Sequence, residues 1–166
     1  MESIQIEQML RTDWNEVRDI YIQGIKTKNA TFEKETPSWE EWDMKYLLDC
    51  RMVARVDKQI AGWVALTPYS SRAVYSGVAE LSLYIHEAYR GKGIGTKLLA
   101  SLINESEKVG FWTLQSGIFP DNGPSLALHK KFGFREVGKR EKIGKIENTW
   151  RDVILLERRS GVVGMD

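Results

Sequence analysis

The sequence predicts one domain of the α/β or α+β class, in which a mixed sheet of about seven strands carries about four helices on its two faces. The first observation is length: a chain of 166 residues buries roughly 70% of its unfolded surface on folding, which is enough for one core. The second is that strand-like and helix-like apolar periods follow one another along the chain. The third is that strand–helix–strand units occur only in the second half, which favours a mixed sheet.

The N-terminal part predicts a strand, a helix and a loop. Residues 3–8 alternate between apolar and polar side chains, which is typical of a short strand. Asp13 is expected to cap the next helix, with Glu16 as its capping-box partner. Residues 26–37 have no period and predict a loop. The apolar stripe of the helix consists of Val17, Ile20, Tyr21 and Ile25.

A second helix and a strand pair follow. Ser38 and Glu41 form another capping box, which predicts a helix through about Asp49. Residues 52–56 and 60–66 are apolar runs separated by a polar turn, and they predict two antiparallel strands.

The second half of the chain alternates strands and helices. A strand at 78–85 places Leu81, Leu83 and Ile85 on one face and Glu80, Ser82 and Tyr84 on the other. The remaining predicted elements are a helix at 94–108 ended by Gly110, a strand at 111–119, a helix from Pro124 or Ser125 to Gly133, and strands at 134–141 and 149–157.

Composition and charge narrow the classes of function. The chain has 24 basic and 23 acidic residues and a net charge of +1, so we expect no nucleic-acid or membrane partner. The basic run at 139–145 is interrupted by Glu141 and predicts a solvated hairpin. The single cysteine, Cys50, forms neither an internal disulfide nor a cysteine-rich metal site, and no metal is expected. No secretory signal or apolar run of about 18 residues is recognisable, so we expect a cytoplasmic protein.

The most informative motif is a glycine-rich turn between the strand at 78–85 and the helix at 94–108. Glycines let a backbone approach a ligand closely, and a helix N-terminus favours an anion. The turn is therefore either a phosphate-binding loop or a strand-to-helix turn that binds no ligand. A Walker loop needs Ser or Thr after Gly91-Lys92, and a dinucleotide loop needs a different glycine spacing. The remaining pattern is Arg90-x-x-Gly93-x-Gly95.

That pattern resembles the acyl-CoA pyrophosphate loop of the GNAT superfamily of N-acetyltransferases. The resemblance extends over nearly the whole chain, because the element order matches that fold, and it implies a sheet that splays after its fourth strand. Asn122 and Gly133-Phe134 match the family's Asn-containing helix and the Gly-Phe after it. A closer resemblance is to the phosphinothricin / methionine sulfoximine branch. Its matching segments are Thr31-Phe32-Glu33, Ala61-Gly62, Arg72, Tyr75, Ala79-Glu80, Tyr84, Pro124-Ser125, His129, Trp150 and Asp152.

The resemblance implies acetyl-CoA as the co-substrate. The backbone of the strand end would pair with the pantetheine arm like an added strand, and the glycine turn would hold the pyrophosphate. Asn122 would bind the pantetheine arm, or it is only a helix N-cap. The implied cofactor-binding residues are Leu83, Tyr84, Ile85, Arg90, Gly91, Lys92, Gly93, Ile94, Gly95, Thr96, Asn122 and Ser125.

Two residues are candidates for acid–base chemistry. Glu80 is a rare charge in an apolar strand and a candidate base for the acceptor amine, acting through water in the resembled branch. The alternative is a structural carboxylate paired with a basic residue. His129 lies seven residues after Asn122, where many relatives carry a Tyr that protonates the departing thiolate. The alternative is a histidine packed on a helix face.

The acceptor pocket is implied mainly by the closer branch. Arg72 and Tyr75 match residues that hold an acidic amino-acid substrate there, and Thr31 and Phe32 would line the pocket. Ser70 departs from the branch, where a Lys stands.

The leading interpretation is therefore an acetyl-CoA-dependent N-acetyltransferase that acts directly on a small amino-acid-like amine, as a homodimer. The alternatives are a protein N-terminal or lysine acetyltransferase and a non-catalytic acyl-CoA sensor. We expect the domain to span 1–159 and residues 160–166 to form a flexible tail.

Overall fold

A computed structural model describes residues 3–166. Its seven strands form one sheet in the order β1-β2-β3-β4-β5-β7-β6. The pair β4–β5 is parallel and all other neighbours are antiparallel. The predicted mixed sheet and the predicted element order are confirmed. In chain order the elements are β1 (Ile4–Gln8), α1 (Trp14–Thr27), α2 (Trp39–Lys45), β2 (Met52–Val56), β3 (Gln59–Pro68), β4 (Val78–Ile85), α3 (Ile94–Val109), β5 (Thr113–Ile118), α4 (Gly123–Lys131), β6 (Arg135–Ile146) and β7 (Thr149–Arg159).

The core occupies both faces of β2 and β3, because successive residues of these strands enter opposite layers. Val64 and Leu66 pack with α3, whereas Trp63 and Ala65 pack with α1 and α2. The second layer is aromatic, and both Trp42 and Trp63 are fully buried in it. Strands buried on both faces explain the continuous apolar runs in this part of the sequence.

The sheet opens between β4 and β5. These strands pair only through Val78–Glu80 and Thr113–Gln115. Beyond Glu80, β4 continues as Leu81–Ile85 beside β3, while β5 continues beside β7. The splay after the fourth strand is thus confirmed, and it leaves one edge of Leu83–Ile85 without a paired strand.

Two details of the first helices differ from the prediction. The capping box at Asp13 and Glu16 is wrong: Asp13 binds the Leu10 amide and Arg55, and Glu16 accepts from the Ile60 amide. The box at Ser38 is confirmed.

Helix α2 ends at Lys45, short of the predicted Asp49. Tyr46 is extended, with φ −95° and ψ 142°. The next amide, of Leu47, donates to the Leu66 carbonyl at 2.8 Å. A tertiary hydrogen bond therefore replaces the last helical turn.

The β6–β7 hairpin contains a bulge. Arg140 pairs with Val153 and Gly144 pairs with Arg151, so three β6 residues, 141–143, face Asp152 alone. The Asp152 carboxylate accepts the Lys142 amide at 2.7 Å. This hydrogen bond holds the bulge and extends β6 beyond the predicted strand end.

The C-terminal residues contact the domain. Ser160 is buried and its hydroxyl donates to Glu107, while Arg159 donates to the carbonyls of Ser160, Val163 and Gly164. The flexibility of 160–166 stays a prediction. Within 3–166, no helix combines the length and the apolar character that crossing a membrane requires.

Candidate active site

A cavity of about 690 Å³ lies where β4 and β5 separate. The two strands supply its floor, including Glu80, Ser82 and Gln115. Helix α4 contributes Asn122, Ser125 and His129, the loop after α1 contributes residues 30–33, and the β6–β7 hairpin closes one side. Both predicted catalytic residues therefore line one cavity.

Glu80 lies at the point where the sheet opens. It is half-buried and directly opposite Gln115, whose amide nitrogen is 3.4 Å from its carboxylate. Among residues 3–166 it forms no ion pair. The alternative, a structural carboxylate paired with a basic residue, therefore finds no such pair among these residues, and the role of Glu80 as a base stays a prediction.

Two hydroxyl groups lie beside Glu80 on the cavity wall. The Tyr46 hydroxyl is 3.0 Å from the Ser82 hydroxyl, and Ser82 is two residues from Glu80 on the same strand face. Burial raises the pKa of Tyr46, so its phenol stays protonated at neutral pH. This pair can hold a water molecule near the carboxylate.

His129 is buried, with only 2% of its surface exposed. Its Nδ1 lies 2.7 Å from the Ser125 carbonyl oxygen, which only accepts, so Nδ1 carries the proton. Within the described part of the chain Nε2 has no partner. Burial lowers the pKa of His129, and the ring is neutral at neutral pH. Nε2 therefore presents a lone pair, and it can donate a proton only after taking one up.

The glycine turn has the geometry of an anion-binding loop. Gly91 has φ +75° and Gly93, the N-cap of α3, has φ +82°. A Cβ atom at either position would meet nothing within 4 Å, so the surface above them is open. The first amides of α3 have no helical acceptors and face this space. Arg90 and Lys92 are exposed beside it.

Close packing places the glycine turn next to α4. A Cβ atom at Gly95 would lie 2.9 Å from a methyl group of Leu128, so the start of α3 and α4 are in close contact here. The start of α3 therefore lies against α4, although none of the residues 90–96 lines the cavity itself.

Asn122 is the N-cap of α4, since its side-chain oxygen accepts the Ser125 amide at 3.3 Å. Its amide nitrogen also donates to the Asn29 carbonyl at 3.3 Å. The predicted capping role is thus present. The second hydrogen bond ties the loop after α1 to α4.

Arg151 on β7 holds the same loop from the other side. Its guanidinium donates to the Lys28 carbonyl at 2.6 Å and to the Asn29 side chain at 2.8 Å. It also lies 4.2 Å from the ring centroid of Phe119, which packs edge-on against Phe32. The start of the loop that carries Thr31 and Phe32 is therefore held by both α4 and β7.

The predicted acceptor residues separate into two groups. Thr31 and Phe32 line the cavity, whereas Arg72 and Tyr75 do not. Arg72 lies on an exposed turn, 5.5 Å from the Tyr75 ring centroid. The structure does not bring this pair to Glu80, so their substrate-binding role stays a prediction without support from the cavity.

Sequence reasoning missed several lining residues, above all Tyr46, Gln115 and Arg140, and it quoted Glu33 only as part of a matching segment. Arg140 was hidden in a run interpreted as a solvated hairpin. That hairpin is exposed along most of β6, yet one of its faces lines the cavity. The register of the β6–β7 pairing decides which β6 side chains face the cavity, and the bulge changes that register. The register is therefore the signal that could have found Arg140.

Cysteine and metal chemistry were also considered in the sequence. Burial raises the pKa of the Cys50 thiol to about 12, which makes it a poor nucleophile. Within 3–166, no three His, Cys, Asp or Glu side chains are grouped to hold a metal ion.

Comparisons with known proteins agree with this geometry. Residues 8–134 match the acetyltransferase (GNAT) family. The chain is 28% identical over 163 residues to the phosphinothricin N-acetyltransferase of Streptomyces coelicolor, covering 93% of this chain and 95% of that protein. It is 28% identical over 106 residues to the L-methionine sulfoximine/L-methionine sulfone acetyltransferase of Salmonella typhimurium, covering 64% of this chain and 62% of that protein.

A solved structure shares the fold over almost the whole chain. It is the phosphinothricin acetyltransferase of Sinorhizobium meliloti in complex with AcCoA, with a TM-score of 0.88 and 24% identity. The superposition covers 98% of this chain and 91% of that chain. The resemblance expected from the sequence is confirmed, and the chain belongs to the GNAT family of acetyltransferases.

Proposed function

We propose that this protein transfers an acetyl group from acetyl-CoA directly to the amine of a small amino-acid-like substrate of the phosphinothricin / methionine sulfoximine type. The observation that carries the proposal is Glu80, a carboxylate without a cationic partner among the described residues, in a cavity at the opening of the sheet. The related enzymes named above support the substrate class.

The co-substrate would lie along the opening. The unpaired edge of Leu83, Tyr84 and Ile85 offers backbone hydrogen bonds to the amides of the pantetheine arm. The amides from Gly91 to Thr96 would bind the pyrophosphate, with Arg90 and Lys92 adding positive charge at the rim. Asn122 and Ser125 line the cavity together with Leu83 and Tyr84.

Glu80 would remove a proton from the acceptor ammonium, through a water held by Tyr46 and Ser82. The free amine then attacks the thioester carbonyl carbon, a C–N bond forms, the C–S bond breaks, and the nitrogen loses a second proton, which balances the proton that the sulfur takes up. The departing sulfur needs a proton. His129 can supply it only from its protonated form, because Nε2 carries no proton in the neutral ring. The proton taken from the amine is the source available within the cavity.

The first experiment measures thiol release from acetyl-CoA over a panel of amines: phosphinothricin, methionine sulfoximine and sulfone, common amino acids, polyamines and a lysine peptide. Release with the amino-acid analogues and not with the peptide or the polyamines is expected. Acetylation of the peptide alone would favour a protein acetyltransferase, and acetyl-CoA binding without any turnover would favour a sensor.

The variant Glu80→Gln tests the base. It is expected to lower kcat by about 10²- to 10⁴-fold while the calorimetric affinity for acetyl-CoA is kept. Glu105→Gln, at an exposed carboxylate on α3, is the matched control. Unchanged turnover in Glu80→Gln would remove Glu80 from the mechanism.

The assembly and the location are also proposals. A homodimer is proposed from the resembled branch, and sedimentation velocity of the purified chain tests it. A cytoplasmic location is proposed from the sequence, and fractionation of cells that express the tagged protein tests it.

A further inference from the structure

Three cations line the cavity, and they differ in their partners. The Lys45 ammonium lies 5.5 Å from the Tyr46 ring centroid, and the Lys145 ammonium lies 4.8 Å from that of Trp150. The side chain of Arg140 has no ion pair, hydrogen bond or aromatic contact anywhere in 3–166. A guanidinium offers five donors in a planar fork that matches a carboxylate. None of the three cations forms a hydrogen bond or an ion pair within 3–166, and Arg140 is the one that also lacks an aromatic contact and carries the planar fork.

The position of Arg140 follows from the β6 bulge. Directly opposite residues of an antiparallel pair share a face, and Arg140 pairs with Val153, which lines the cavity. The bulge is held by the 2.7 Å hydrogen bond from the Lys142 amide to Asp152, and it gives Lys142 a left-handed φ of 46°. Bulges commonly re-aim side chains beside active sites. Here the bulge separates Arg140 from Gly144, and both lie on the cavity face.

Gly144 brings this part of β6 against the acceptor loop. A Cβ atom at Gly144 would lie 2.9 Å from the ring of Phe32, so the two surfaces are in close contact. Phe32 is one of the predicted acceptor residues and lines the cavity. The wall that carries Arg140 therefore belongs to the acceptor end.

Negative charge occupies the same cavity. Glu33 and Glu80 line it, and neither forms an ion pair within the described residues. A cavity with free carboxylates and one free guanidinium is complementary to a zwitterion. Its ammonium would face the carboxylates and its carboxylate the guanidinium.

We infer that Arg140 binds the carboxylate of the acceptor, so that the protein selects α-amino acids over amines that lack this group. The inference rests on the proposed function and names a residue other than Arg72, which the cavity does not include. Asp152 acts through Lys142 and is a positioning residue for this contact.

The experiment compares each reactive amino acid of the panel with its carboxamide, in the wild-type enzyme and in Arg140→Gln. With the amino acid, the KM of the variant is expected to rise about ten- to a hundredfold, as for the loss of charge-assisted hydrogen bonds. With the carboxamide, wild type and variant should have similar KM values. The KM for acetyl-CoA should not change.

Arg135→Gln is the matched control, because Arg135 is an exposed arginine of the same strand that pairs with Glu157 and does not line the cavity. Circular dichroism confirms that each variant folds. Two results in an active enzyme would overturn this inference but leave the proposed function standing. In the first, Arg140→Gln keeps the wild-type KM for the amino acid. In the second, its KM rises equally for the amino acid and for the carboxamide. If the KM rises in Arg72→Gln and not in Arg140→Gln, the substrate carboxylate binds Arg72 on the exposed turn, and the inference is overturned. A wild type that acetylates none of the amines removes the proposed function, and this inference with it.

Discussion

The two sides of the splayed sheet are built differently. On the β1–β4 side, β3 is buried along most of its length, and Trp42 and Trp63 have no exposed surface. On the β5–β7 side, β6 is exposed along most of its length and is fixed by polar contacts such as Asp152 with Lys142. Apolar burial is the main source of folding free energy. The difference teaches that substitutions in the buried layers of the first side should chiefly change stability, whereas those in the cavity wall of the second should also change acceptor recognition.

The largest expected effect comes from tryptophan truncation on the two sides. Trp63→Ala removes a fully buried ring stacked 5.0 Å from Tyr84, and we expect the free energy of unfolding to fall by about 3–5 kcal/mol. Trp150→Ala, on β7, removes a ring that is 53% exposed, and we expect less than about 1 kcal/mol. Urea unfolding of both variants measures the difference. Equal losses of unfolding free energy in the two variants would contradict the proposed difference between the two sides of the sheet.

The next effect compares two arginines of the β5–β7 side, one partly buried and one exposed. Arg151→Met removes the hydrogen bonds that anchor the loop at Lys28 and Asn29. We expect a loss of about 1.5–3 kcal/mol of stability and a higher acceptor KM, with the acetyl-CoA KM kept. Arg135→Met, in an exposed ion pair with Glu157, should cost at most about 1 kcal/mol. If the acceptor KM of Arg151→Met equals that of wild type, the anchored loop is not part of the acceptor site.

A smaller effect is expected at two glycines of the same strand. Gly144→Ala puts a methyl group into the Phe32 ring, which must move. We expect a cost of about 1 kcal/mol and an acceptor KM that changes a few-fold. Gly138→Ala places its methyl group in open space and should change neither quantity. Steady-state kinetics and thermal unfolding measure both variants. If the two variants behave identically, the contact between Gly144 and Phe32 does not shape the acceptor site.

The smallest effect is a pH dependence of stability. Burial lowers the pKa of His129 below its ordinary 6.5 in the folded protein. Below pH 6.5 the unfolded chain therefore binds a proton that the folded protein does not. The stability due to neutral His129 is complete above that pH and is lost as the pH falls towards the folded-state pKa. His129→Asn should flatten the fall in Tm between neutral pH and pH 5, and His86→Asn is the control. A slope that matches wild type in His129→Asn would show that this ring does not titrate differently on folding.

Local signals explain which parts of the fold were predictable. The capping box at Ser38 is satisfied by neighbours in the chain, and the sequence predicts it correctly. Asp13 and Glu16 have the same spacing, but distant partners, Arg55 and the Ile60 amide, bind their carboxylates. Sequence spacing cannot distinguish a cap from a tertiary contact, because both need the same acidic side chain.

The site follows the same rule. Glu80 and the glycine turn lie within one strand and the turn after it, so their proximity to the opening was predictable. The tautomer of His129 depends on the Ser125 carbonyl four residues earlier, which a helix supplies but a motif does not reveal. Arg140 depends on the count of residues in a bulge, and a shift of one residue would turn its side chain to the opposite face.

The opening between β4 and β5 has a further consequence, for aggregation. An unpaired strand edge normally recruits other protein chains into mixed sheets. Here the unpaired stretch, Leu83–Ile85, faces across the opening towards β5, which is itself paired with β7. A foreign strand would need room for side chains on both of its faces, whereas a thin unbranched molecule needs little. The position of this strand edge inside the opening therefore limits its exposure to the strands of neighbouring molecules.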